Sequence, residues 1–81
     1  MPAFLVRFKG MLTRQERKRL AAASIEIEHK EPSIRIGLVR TGRPIYTVRI
    51  AAAAEDEAVR AVKAALEPDA ANFSSWEAEP A

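Results

Sequence analysis

The 81-residue chain has no cysteine, which excludes disulfides, thiolate metal sites and cysteine nucleophiles. It has one histidine, His29, so triad-type catalysis would have to run through that single imidazole. Its three glycines, Gly10, Gly37 and Gly42, are too scattered for the loops that cradle nucleotide phosphates. No apolar run approaches the ~20 residues needed to span a bilayer, and Ala3–Val6 is closed by Arg7, far short of a signal-peptide core. A cytoplasmic protein with no membrane contact is the expectation. There is no internal repeat and no low-complexity linker.

What little chemistry the residues offer reads as structure. His29 and Glu31 are two ligands, and two ligands are not a metal site. Glu26 and Glu28 share a strand face with Arg35 and Arg49, where cross-strand ion pairing explains them better than acid–base work. Glu55, Asp56 and Glu57 stand at the start of a helix, where its dipole favours acid. No catalytic, cofactor-binding or metal-ligating residue is assigned, and the chain is expected not to be an enzyme.

The hydrophobic fraction of 48% and charged fraction of 30% are those of a folded soluble domain. A domain this short buries only ~60% of its unfolded surface, so a partner or a second copy would add stability. Charge is unevenly spread. Residues 1–50 hold eleven Lys/Arg and four Glu, residues 51–81 two basic and seven acidic groups. Residues 67–81 alone carry four carboxylates and no base.

Along the chain, residues 3–9 alternate as a strand, with Phe4, Val6 and Phe8 on one face. Thr13-Arg-Gln-Glu16 is a capping-box signature before a helix over about 14–23. Two further alternating runs, 24–30 and 34–40, are separated by Glu31-Pro32-Ser33, read as a turn, with 25–40 taken as one long bent strand or two. Thr41-Gly42-Arg43-Pro44 reads as a hairpin connection into a strand over 45–51. A helix over 54–66 places Val59, Val62 and Leu66 on one stripe, expected to bury beside Ile36, Val48 and Ile50. Pro68 ends it. Residues 72–77 can add a short strand. The expected fold is α+β, a small two-layer sandwich of an antiparallel sheet (three to five strands) with two helices on one face, in ferredoxin-like or αβββα-type order. The expected organisation is one domain over 1–67 and an acidic tail over 68–81, available as an added edge strand.

Two functional readings follow. The first is a small binding module for a protein partner or a second copy. It rests on exposed sheet edges and on a tail that carries Phe73 and Trp76 as candidate interaction residues. The alternative is non-specific nucleic-acid binding through the basic half. Its candidate polyanion residues are Arg14, Arg17, Lys18 and Arg19 on the first helix, Arg35 and Arg49 on the outer sheet face, and Arg40 and Arg43 at the hairpin. RNA recognition by base stacking needs exposed aromatics on central strands, and the outer face offers Arg, Lys, Glu, Thr and Val instead. The basic start of a second helix that double-stranded-RNA-binding domains use is replaced by Glu55-Asp56-Glu57.

Overall fold

A computed structural model describes residues 1–81. Alternation makes Ala3–Lys9 the first strand, β1, with Phe4, Val6 and Phe8 buried on one face and Leu5, Arg7 and Lys9 on the other. Helix α1, Arg14–Ala22, starts on the capping box: the Glu16 N–H donates to Thr13 Oγ1 at 3.2 Å and the Thr13 N–H to Glu16 Oε1 at 2.7 Å. Its far end closes as a Schellman motif. Ser24 takes a left-handed φ of 60°, its N–H donates to Ala21 O at 3.0 Å, and the Ile25 N–H donates to Leu20 O at 2.9 Å. Leu20 and Ile25 are both buried in the core, the apolar pairing that usually accompanies this closure.

The middle of the chain departs from the sequence expectation. The three alternating runs form two long strands, β2 (Glu26–Ile36) and β3 (Val39–Ala51), and the chain reverses at Gly37-Leu38 with Gly37 at φ 58°. Glu31-Pro32-Ser33 is not a turn, nor is Thr41–Pro44 the connection. Pro32 stands opposite Pro44 in the ladder. Two residues without N–H can face each other only where the pair exchanges no hydrogen bonds, so neither proline breaks the pairing. The next pair is Ile34 with Thr41, so β3 takes one extra residue here. Gly42, at φ 88°, allows it: a Cβ there would collide with Ser33 Oγ and lie 3.1 Å from Ile34 Cγ1.

Helix α2, Glu55–Leu66, buries Ala58, Val62 and Leu66 and half-buries Val59. It ends where Glu67, preceding Pro68, turns extended at ψ 145°. A single 3-10 turn, Asp69–Asn72, leads into β4, Ser74–Pro80. The sheet is antiparallel throughout, in the order β2-β3-β1-β4. β3 thus lies between β1 and β2, the strands that α1 joins, and β1 lies between β3 and β4, the strands that α2 joins. The result is a small α+β fold of four strands and two helices. Its core joins Phe4, Val6, Phe8, Tyr46, Val48 and Ile50 of the sheet to Leu20, Val62 and Leu66 of the helices.

Ile36 is not part of that core; it is 69% exposed. The ladder between β1 and β3 ends at Lys9 with Ile45 and with the Gly10 N–H donating to Pro44 O at 3.0 Å, so residues 39–43 of β3 pair with β2 alone. Thirteen residues at about 3.3 Å each give β3 a length near the molecule's 40 Å long axis. Residues 33–43 therefore form a two-stranded arm that reaches past the helices, and Ile36 lies near its tip. No helix is long and apolar enough to cross a membrane.

Candidate nucleic-acid interface

The ladder decides which side each charge occupies. Residues directly opposite in an antiparallel pair share a face. Leu5, Arg7 and Arg49 therefore lie on the sheet face away from the helices, with Glu26, Glu77 and Glu79 on the same face. Arg7 donates to Glu79 Oε1 at 2.6 Å, and Arg49 Nε donates to Glu28 Oε1 at 2.6 Å. The outer sheet face is thus laced by ion pairs, and Arg49, one of the candidate polyanion residues, is held by a carboxylate.

The bases of α1 divide. Arg19 reaches Asp69 at 3.1 Å and the Glu67 carbonyl at 3.3 Å, which ties it to the chain after α2. Arg14 and Lys18 are exposed and have no carboxylate partner. Arg17 turns toward the sheet: its guanidinium lies 5.5 Å over the Tyr46 ring and donates to the Tyr46 hydroxyl at 3.2 Å. Lys30 of β2 holds its ammonium 5.8 Å from the same ring. Tyr46 thus joins the basic helix to the root of the arm by two cation–π contacts. Beside it, an open cleft of about 260 Å³ is lined by Met11, Lys30, Pro32, Arg40, Gly42 and neighbouring residues.

On the arm itself Arg35 faces Arg40 across the ladder, Arg43 follows the bulge, and no acidic residue occurs within 33–43. The opposite face of the arm carries Ile34, Ile36 and Val39, and Leu38 is fully exposed at the tip.

Of the thirteen Lys/Arg, four are in ion pairs: Arg7, Arg19, Arg49 and Arg60. Seven of the nine without one are Arg14, Arg17, Lys18, Lys30, Arg35, Arg40 and Arg43, all on α1, the arm and its root. Residues 11–23 and 30–46 together hold eight bases against two carboxylates; the remainder holds five against nine. One of those two carboxylates, Glu16, is buried in its cap.

The candidate interaction residues of the tail turn inward. Phe73 is buried and meets Phe8 edge-on at 5.3 Å. Trp76 is half-buried, stacks on Phe8 at 5.0 Å and lies under the Lys63 ammonium at 5.2 Å. Phe73 therefore has little surface to offer a partner. His29 Nε2 stands 3.8 Å from Glu31, and no group of three or more His, Asp or Glu is placed to hold a metal ion.

Sequence reasoning missed Lys30, Tyr46 and the projection of the arm. One signal for the arm was available: Ile34-Arg35-Ile36 and Val39-Arg40-Thr41 mirror each other about Gly37-Leu38, as two strands of one hairpin would. Compared with known proteins, the chain matches no family model, no curated protein and no solved structure.

Proposed function

We propose that the protein is a non-enzymatic nucleic-acid-binding module that contacts phosphates through α1, Lys30 and the β2–β3 arm. The observation that carries this reading is that seven exposed bases on α1, the arm and its root have no carboxylate partner. Like charges held together without counter-charges repel one another, and a polyanion relieves that repulsion while releasing its own counterions. The chain's architecture supports reading it as a ferredoxin-like variant with a lengthened β2–β3 hairpin.

The warrants for association through a sheet edge are weaker on the folded molecule. Edge strand β2 has a bulge at Ile27/His29, a register shift where β3 bulges opposite Pro32/Ile34, and Pro32 itself. Edge strand β4 carries a left-handed Ser75, the charges of Glu77 and Glu79, and Pro80. Those are the features that discourage strand addition. A protein partner remains the second reading, favoured by the exposed aliphatic face of the arm.

The direct test is fluorescence anisotropy with a labelled duplex at about 50 mM salt, using the wild type and a variant with Arg14→Gln, Arg17→Gln and Lys18→Gln. Binding that the triple variant weakens several-fold supports the proposal. No binding by the wild type refutes it.

A further inference from the structure

Resting on the phosphate-binding reading, we infer that the β2–β3 arm enters the major groove of B-form duplex DNA. The alternative nucleic-acid targets are disfavoured by the aromatic inventory. Proteins that hold single strands stack bases on exposed aromatic rings. Here Phe4, Phe8, Tyr46 and Phe73 are buried, and Trp76 lies between Phe8 and Lys63. No stacking platform exists. Duplex RNA presents a major groove too deep and narrow for side chains to read.

The arm has the right section for B-form DNA. Two strands about 4.8 Å apart, with side chains on both faces, fill a groove about 12 Å wide but not one of about 6 Å. From Pro32 and Pro44 to the Gly37-Leu38 turn, five residues of β2 and six of the bulged β3 extend roughly 16 Å, further than the groove's depth of about 8.5 Å.

Its side chains suit both surfaces of the groove. Arg35 and Arg40 sit directly opposite each other, a like-charge pair that weakens an isolated hairpin. A phosphate or a guanine edge beside them turns that liability into bidentate contacts. Ile34, Ile36, Val39 and Leu38 can meet thymine methyl groups and sugar carbons, which accounts for aliphatic groups standing in water on an otherwise basic arm. Arg14, Lys18 and Lys30 are then left for the flanking phosphate backbone.

The experiment measures the full-length protein against three probes of equal length at about 50 mM salt: duplex DNA, single-stranded DNA and duplex RNA. Dimethyl sulfate footprinting on the duplex DNA reports guanine N7, which lies in the major groove. The proposal expects duplex DNA to bind about tenfold more tightly than the other two, with N7 protected. It expects Arg35→Gln with Arg40→Gln to abolish the preference and the protection, while Arg14→Gln with Lys18→Gln weakens all three probes alike. Equal affinity for the three probes, with N7 unprotected, overturns arm insertion and leaves phosphate binding standing. No binding to any probe overturns both. Light scattering on the same samples adds one more contrary outcome: a dimer that Ile36→Asp dissociates, with DNA affinity unaffected, would make a second copy the occupant of the arm.

Discussion

Leu66 and Ile36 show how far a single residue's fate was readable. Both are large aliphatics in clean periodic patterns, and both belong to the expected core. Leu66 is fully buried in the structure, whereas Ile36 is 69% exposed. Periodicity tells which face of an element a residue occupies; it cannot tell whether another layer covers that face. Leu66→Ala is expected to cost about 2–5 kcal/mol in a denaturant melt, and a loss below about 0.5 kcal/mol would show that α2 does not seal the core. Ile36→Ser is expected to change stability by less than about 0.5 kcal/mol, because it removes almost no buried contact. A large loss there would mean that the arm is covered.

The elements were legible where local chemistry alone decides them. Thr13 and Glu16 set the start of α1, because the cap needs only four residues in sequence. Thr13→Ala should lower stability by about 1 kcal/mol, with faster amide exchange at residues 14–16 as its local signature. The other end of α1 depends on Ser24 holding a left-handed φ of 60°, a conformation glycine reaches without strain. Ser24→Gly is therefore expected to raise the melting temperature or leave it unchanged; a clear fall would contradict the Schellman closure. The β2–β3 hairpin was misread for the reason opposite to that for α1. Thr-Gly-Arg-Pro and Glu-Pro-Ser are strong local turn signals, but here a long-range pairing of Pro32 with Pro44 absorbs both prolines and Gly42 supplies a bulge. Turn residues specify a backbone conformation, and bulges use the same conformations as turns. The last segment was legible through Trp76 and Phe73, whose burial draws residues 74–80 onto β1. Truncation after Glu67 uncovers Phe8 and the edge of β1, and a drop in melting temperature of many degrees is the expected result.

At the scale of the whole molecule, the sequence displayed an excess of base in its first fifty residues but not its arrangement. Folding sorts that charge. Arg7 of β1 and Arg49 of the lower part of β3 meet Glu79 and Glu28, and Arg19 meets Asp69. The helix and the arm, distant in sequence, are joined at Tyr46 by Arg17 and Lys30, and their bases other than Arg19 have no carboxylate partner. None of this pairing is visible without the register of the ladder. The consequence is a module whose affinity comes mainly from phosphate contacts and therefore depends steeply on ionic strength. The measurement that tests it most directly is the affinity for a duplex of about 20 base pairs, titrated from about 50 to 200 mM salt. Each phosphate engaged contributes about 0.9 to the slope of log K against log salt, so engagement of at least four of the seven unpaired bases predicts a slope of about −3.6 or steeper. A slope near zero, or no binding at the lowest salt, would contradict the account.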